Sequence, residues 1–351
     1  MGKIDLTAQS ERASGRDWRR VIPGFVISAI SILVIVLSVD LPQVAAALRL
    51  ADYRLIGLGI LITLAWLLVR GVLWRTLLEG KAPLSTVFLT LNEGYLLNNV
   101  LPFRLGELGR AFLLSRKAGL DFWRVLSSIL IERALDIAFA VGLLLATLPF
   151  VVGASWARQA ALGAGGLILG AFAVMYLLGS NRERALAFIA RLSVRWPSGA
   201  RLLGNAVPAF LSGLVVLTDG RRFITAIVLM LVDWGIGVTQ YTVIMQAFIP
   251  GAKLLWPAFT LGVAALGVAA PSTPGALGVF ELAILGALQV FDLNPSVSLA
   301  YAVVLHIEQY LVTAVIGVYA LSRDGESLLR LYQRVRDLRK AATLPSDRQP
   351  S

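Results

Sequence analysis

The chain has 351 residues, 57% hydrophobic and only 15% charged, with mean hydropathy +0.77 and a formal net charge of +11. A water-soluble protein would not carry repeated apolar runs of about 17 residues or more, so this is an all-α polytopic membrane protein rather than a soluble enzyme. The absence of Cys excludes disulfides and thiolate metal sites, and a single histidine, His306, argues against multi-histidine metal chemistry, so neither cofactor nor metal is expected.

The first apolar run, Val21–Val39, follows a basic segment and is too long for the core of a usual signal peptide. Further runs follow at Leu55–Leu78, Thr86–Leu101, Val125–Phe150, Arg158–Gly179, Phe223–Ile249, Trp256–Ala270, Ala276–Phe291 and Val297–Leu321. Helices are predicted for all of them, because only helices and closed barrels satisfy backbone polar groups in lipid. The ten-residue alternation that a barrel needs is missing.

Basic residues orient these runs. Residues 1–20 hold five Lys/Arg, 102–124 five, 180–222 seven and 323–351 seven, and the positive-inside rule places all four segments in the cytoplasm. The linkers 40–54, 148–158 and 250–255 share only Arg49, Arg54, Arg158 and Lys253, and 292–296 holds none. Both termini are therefore expected inside a prokaryotic cytoplasmic membrane. The positive excess then reports topology and contact with anionic lipid head groups, not nucleic acid.

This orientation constrains the fold. Leu55–Leu78 runs inward, yet residues 102–124 also lie inside, so Thr86–Leu101 cannot simply cross. It is expected to dip in, turn near Pro102 and return through Leu105–Ala118. In the second half, Trp256–Ala270 and Ala276–Phe291 fit between two outside linkers as either a hairpin or two short crossings. The expectation is about six full transmembrane helices plus two broken pairs, or eight spans, arranged as an inverted repeat. The integral domain covers 21–321, with halves at about 55–150 and 223–321. Residues 1–20 form a cytoplasmic N-terminal segment, 180–222 a basic amphipathic link lying on the membrane, and 322–351 a basic tail.

Each broken pair carries the same letters. Pro102-Phe-Arg-Leu-Gly106-Glu107 and Pro274-Gly-Ala-Leu-Gly278 share Pro, then Leu-Gly at one offset, and Glu281 follows the second. Pro102, Gly106, Pro271, Pro274, Gly275 and Gly278 are the expected hinges. Asn98 and Asn99 cannot face lipid and must bond across the break or to a ligand. A helix N-terminus with Arg104 and Arg110 suits a phosphate. Ser272 and Thr273 are expected to cap the next helix, and Glu281 to lie about two turns into it, too deep for a cap, where it meets an Arg or carries a proton.

Ionisable groups inside membrane spans cost roughly 2.5–3.5 kcal/mol each and are functional candidates. Glu132 and Asp136 share a helix face. Arg133 can neutralise Asp136, which leaves Glu132 needing Arg104 or Arg110. Glu132, Asp136, Glu281, His306 and Glu308 are the ion-pair or proton candidates. His306 and Tyr310 share a face, whereas Glu308 points away from them. Arg70 lies deep enough to pair with an acid, and Arg75 snorkels.

The runs Asn98-Asn-Val-Leu-Pro102-Phe-Arg-Leu-Gly-Glu107-Leu-Gly-Arg110, Glu132-Arg133-x-x-Asp136 and Pro271-x-x-Pro-Gly-x-Leu-Gly-x-x-Glu281 resemble the flippase-like membrane-domain family that includes the transmembrane domain of lysylphosphatidylglycerol synthases. The resemblance implies movement of a lipid or lipid-linked precursor between leaflets. Synthase activity is not carried over, because the chain ends about 30 residues after its last span. In that reading Asn98, Asn99, Arg104, Glu107, Arg110, Arg133, Ser272 and Thr273 hold a phospholipid or lipid-linked head group, and no catalytic residue is expected. The alternatives are a membrane enzyme acting on a polyprenyl-phosphate or glycerolipid, and a non-catalytic partner of a separate lipid synthase.

Overall fold

The structure is a computed structural model that describes residues 25–101, 105–152, 155–181, 183–187, 211, 214, 218–269 and 273–325. Expectations for 1–20, for most of 180–222 and for nearly all of 322–351 lie outside these residues, as do Pro102, Arg104, Pro271 and Ser272. Every regular element among the described residues is helical.

Helix α1, Phe25–Ser38, meets α2, Leu41–Leu50, at 84°. The expected linker over 40–54 is therefore largely helix. Asp40 caps it by accepting the Gln43 N–H at 3.3 Å, and Pro42 sits in its first turn. Val44 fixes it on the core beside Leu285 and Ala300. A ten-residue helix of this kind is too short to register as an apolar run.

Helix α3, Tyr53–Leu77, starts at the cap Asp52 and ends in a turn where Glu79 (φ 59°) and Gly80 (φ 71°) reverse the chain. Then come α4, Leu84–Val100, and α5, Leu105–Ala118. Helices α6, Phe122–Val152, and α7, Ser155–Ser180, follow. After the link, α8 spans Gly220–Phe248 and α9 Leu255–Ala269. A single 3-10 turn, Pro274–Ala276, precedes α10, Val279–Gln289, and α11 spans Pro295–Arg323.

Among the described residues, α3, α6, α8 and α11 are long and apolar enough to cross a membrane, and the bent α1–α2 pair makes a fifth span if counted as one. Helix α7, with 26 residues, coincides with the sixth crossing expected over Arg158–Gly179. Helices α4, α5, α9 and α10 have 17, 14, 15 and 11 residues. At about 1.5 Å per residue each falls short of a hydrocarbon core of about 30 Å. Helices α4 and α5 pack on each other, as do α9 and α10. Gly267, near the end of α9, lies against Ala283 in α10. Both pairs are thus hairpins, and of the two arrangements open for the second pair the short lengths favour the hairpin.

The packing is closed under an exchange of halves. Swapping α3 with α8, α4 with α9, α5 with α10 and α6 with α11 turns each contact into another that also exists: α4–α11 into α9–α6, α5–α6 into α10–α11, α3–α4 into α8–α9. A shift of 172 residues, the separation of Pro102 from Pro274, carries Leu105–Ala118 onto 277–290 and Phe122–Val152 onto 294–324. The observed helices there are Val279–Gln289 and Pro295–Arg323. The equivalent helices α3 and α8 run antiparallel. Asp52 at the start of α3 donates its N–H to Ala247 O at 3.0 Å, and Glu79 past its end pairs with Arg222 at 3.1 Å. Corresponding helices that pack antiparallel define an inverted repeat. Outward faces remain apolar: Ile307, Leu311, Val315 and Val318 form an exposed stripe at helical spacing on α11.

Candidate functional site

A cavity of about 720 Å³ lies between the repeats, lined by α3, α6, α8 and α11 and by both hairpins. Its walls are apolar, but one side carries most of the charge.

Arg70 is the hub on that side. Its Nη2 donates to Asp136 Oδ2 at 2.6 Å and Oδ1 at 2.8 Å, and its Nη1 to Asp233 Oδ2 at 3.0 Å. Its Nε lies 3.5 Å from Glu132 Oε1, and the guanidinium stands over the Trp66 ring. Arg110 donates through Nη2 to Glu132 Oε2 at 3.2 Å and stacks on Trp74, 4.7 Å from its centroid. Arg133 reaches Glu132 at 3.0 Å, Asp136 at 3.2 Å and Glu107 at 3.5 Å. Three arginines thus face four carboxylates. Charges taken this far out of water persist only when paired and hydrogen-bonded. Among the described residues the partner that Glu132 needs is Arg110, with Arg70 and Arg133 beside it, and Arg133 neutralises Asp136 as its spacing predicts.

Pairing leaves unused capacity. Arg110 is 2% exposed, yet among the described residues its Nε and Nη1 have no hydrogen-bond partner, and neither does Asn98 Oδ1. All of these residues line the cavity. Asn99 donates to Thr313 Oγ1 at 3.3 Å, a bond from the first hairpin across to α11. Gly106 is not itself at a break but in the first turn of α5, where a Cβ would run into Gly94 O. Its smallness lets α4 and α5 touch backbone to backbone.

The second hairpin corrects two expectations. The chain turns at Gly275 (φ 71°) and Gly278 (φ 82°), so α10 begins only at Val279. Glu281 is therefore in the first turn, not two turns in, and its Oε2 accepts the Gly278 N–H at 2.8 Å as a cap. Its other oxygen meets His306 Nδ1 at 2.5 Å instead of an arginine. His306 Nε2 donates to Gly275 O at 3.0 Å, and the ring packs between Phe280 and Tyr310, 4.5 Å from each. Thr273 does not cap a helix. Its hydroxyl bonds Ser28 of α1 at 2.9 Å, because Pro274 and Gly275 turn the chain before α10 can start. Glu308 joins none of these groups and lies with Gln240, 2.7 Å away.

Thr63, Trp66, Tyr95, Gln240 and Gln309 also line the cavity and were not singled out in the sequence. The signal was present in part: Thr63, Trp66 and Arg70 are spaced by three and four on α3, and Asp233, Gly237 and Gln240 likewise on α8. Each triplet is one helix face. Among the described residues no group of three or more acidic or histidine side chains has the arrangement of a metal site.

Outside the spans, Glu79 gathers Arg124, Lys81 at 3.4 Å and Arg222 at 3.1 Å. Burial pushes its carboxyl up, but Arg124 and Lys81 outweigh this and hold it below the usual carboxylate range. Asp324 behaves alike: partial burial raises it, and Lys117 draws it below its ordinary value. Lys117 also holds Glu93 at 2.6 Å, tying α4 and α5 to the end of α11.

No solved structure matches this chain. A UPF0104 membrane protein from Methanothermobacter thermautotrophicus is 28% identical over 122 residues, which cover 34% of this chain and 36% of that relative. The chain thus matches little more than a third of that curated relative's length. The family described as lysylphosphatidylglycerol synthase TM region matches residues 21–317. With that match running from the first helix to within the last, and with the all-helical polytopic fold, the chain belongs to the lysylphosphatidylglycerol synthase TM region family.

Proposed function

We propose that the protein moves the polar head group of a phospholipid or lipid-linked precursor between leaflets of a prokaryotic cytoplasmic membrane, with both termini cytoplasmic. The observation that carries the reading is the cavity of about 720 Å³ between two opposed re-entrant hairpins, polar on one side within an apolar shell. Intramembrane ionisable groups at a repeat interface are the usual place for a transported group. Arg110, with two unpartnered N–H groups, and Asn98, with a free carbonyl oxygen, receive the phosphate and its polar neighbours. Arg133 and Glu107 exchange partners as the head group passes, because their pairing is long and only partly buried. Acyl chains stay in lipid along the apolar outer faces. Arg104 and Ser272, outside the described residues, belong to the same proposed lining by sequence position.

The family to which the chain belongs is named for a lipid synthase, and this favours a second reading: a non-catalytic membrane partner of such an enzyme. Proteoliposomes containing a fluorescent-tail phospholipid separate the two. Faster loss of leaflet asymmetry than in protein-free vesicles supports movement. Inactivity alone, with co-purification of a lipid synthase, supports partnership. Transfer that is undiminished in both Arg110→Ala and Glu132→Gln refutes the assignment of the site.

A further inference from the structure

Glu308 lies 172 residues after Asp136, the same shift that superposes the two repeats. The equivalence extends to its surroundings. Asp136 is bonded by Arg70 on the first helix of its repeat, and Arg70 in turn bonds Asp233 on the antiparallel helix. Glu308 is bonded by Gln240 on the first helix of its own repeat, and Gln240 in turn bonds Thr63 on the antiparallel helix at 2.6 Å. The two centres have one plan and opposite electrostatics. Asp136 has two arginines, whereas Glu308 has no cationic partner among the described residues. Glu308 is 4% exposed, and its Oε1 has no hydrogen-bond partner.

An unpaired carboxylate this deep in a membrane domain is costly, and the cost falls when the group takes up a positive charge. A hard metal cation demands about six oxygen ligands. Here α3, α8 and α11 are continuous helices whose carbonyls are committed to the backbone, which leaves only the side-chain oxygens of Glu308, Thr63 and Gln240, fewer than six. A proton needs only one, and Oε1 is free to carry it. The cavity is one residue away: Thr63 and Gln240 line it, and Gln240 bonds Glu308.

Among the described residues the neighbours supply no competing charge. Tyr241 of α8 is the titratable side chain that interacts with Glu308. Arg70 and Asp233 are bound to each other, seven residues along α3 and α8 from Thr63 and Gln240. Glu281 of α10 is held by His306, and Glu93 of α4 by Lys117. Arg49 of α2 and Arg54 and Arg75 of α3 are exposed near helix ends. Tyr301 of α11 donates its hydroxyl to Tyr241 O.

We propose that Glu308 is a proton-binding site that couples proton movement to the lipid movement described above, on which the coupling half of this inference rests. The proton binds Oε1 from the cavity to give a neutral carboxylic acid and leaves by the same oxygen, so no bond other than O–H forms or breaks.

Two measurements test the halves separately. Infrared spectra of the purified full chain at neutral pH are expected to show a protonated-carboxyl band that Glu308→Gln removes and Glu308→Asp shifts without removing. A spectrum identical in wild type and Glu308→Gln overturns the proton site. The aspartate variant keeps the test valid if the glutamine variant fails to fold, because an unshifted band gives the same negative answer. In proteoliposomes with an imposed pH difference, one proton per lipid gives up to about tenfold asymmetry between leaflets for each pH unit. Glu308→Gln is expected to abolish that asymmetry while lipid still equilibrates without a gradient. Wild-type movement that ignores the pH difference, or follows a sodium gradient instead, overturns the coupling. Wild-type vesicles that move no lipid at all refute the transport reading and with it the coupling, and the infrared band still decides whether Glu308 holds a proton.

Discussion

The two hairpins share a backbone plan but differ in chemistry. Helices α4 and α5 carry Glu93, Glu107, Arg110, Arg116 and Lys117, with Asn92, Asn98 and Asn99 beside them, whereas α9 and α10 carry one ionisable group, Glu281. The first hairpin is held to the body by ion pairs, Arg110 with Glu132 and Lys117 with Asp324, and Lys117 also ties its two arms through Glu93. The second is held by close packing, one carboxylate–histidine pair and two left-handed glycines. An inverted repeat therefore does not impose equivalent work on its halves. A duplicated scaffold places two hairpin tips at one cavity, and side chains then make one tip a polar surface and the other a turn.

The largest expected effect tests this contrast directly. Arg70→Ala leaves Asp136, Asp233 and part of Glu132 without their shared cation, and removing one partner of a buried ion network costs about 3–5 kcal/mol. Gln240→Ala, at the uncharged counterpart of that centre, removes two neutral-donor bonds and is expected to cost about 1–3 kcal/mol. Thermal unfolding in detergent compares them, and equal losses would break the distinction between a charged and an uncharged half.

Next in size is Arg110→Ala. Loss of a charge-assisted bond to the head group, about 2 kcal/mol, slows lipid transfer roughly thirtyfold, while Thr273→Ala in the opposite tip leaves transfer within about twofold. A smaller effect separates two uses of glycine. Gly106→Ala presses a Cβ onto Gly94 O, and Gly278→Ala forces a left-handed backbone, each at about 1–3 kcal/mol. Gly94 and Gly106 are a packing pair, so Gly106→Ala should loosen α4 from α5, read as increased proteolysis after Arg110. Gly278→Ala should leave that cleavage unchanged.

The smallest effect concerns the Glu79 cluster outside the spans. Its carboxyl lies below the ordinary value, so the stability it contributes is present in full above the unfolded-state value near 4.5 and is lost as pH falls through the depressed folded value. The difference in melting temperature between wild type and Glu79→Gln is expected to be constant at neutral pH, to shrink once pH falls below about 4.5 and to vanish below the depressed folded value. A difference that grows in acid would reverse the sign.

Much of the architecture was readable beforehand because bilayer thickness and backbone satisfaction act on single segments. The returning arm Leu105–Ala118 matches α5 at both ends, and the lengths of α3, α6, α8 and α11 follow from their apolar runs. Helix α2 was hidden because ten mixed residues around Asp40 and Pro42 look like a linker until Val44 finds its core partners. The shared Pro-x-x-Leu-Gly was legible as a repeat but not as two different devices. In the first copy Gly106 lies inside a helix and in the second Gly278 precedes one, a difference set by backbone torsion rather than by letters. Glu281 was misplaced for the same reason, since its depth depends on where α10 starts.

The sequence by itself determined the membrane environment, the helical class, the two-fold pattern of broken segments and the presence of charge at the repeat interface. Hydropathy, Pro and Gly positions and Lys/Arg counts act locally, and local terms can be summed along a chain. Helical spacing already paired Arg133 with Asp136, and tertiary structure decided which distant charges meet. Arg70 reaches Asp136 and Asp233, 66 and 163 positions away, and Glu308 faces Gln240 with no cation beside it among the described residues. Electrostatic energy in a low-dielectric interior depends on separations of a few ångströms between residues far apart in sequence, and only the packing of α3, α6, α8 and α11 on one another sets those separations.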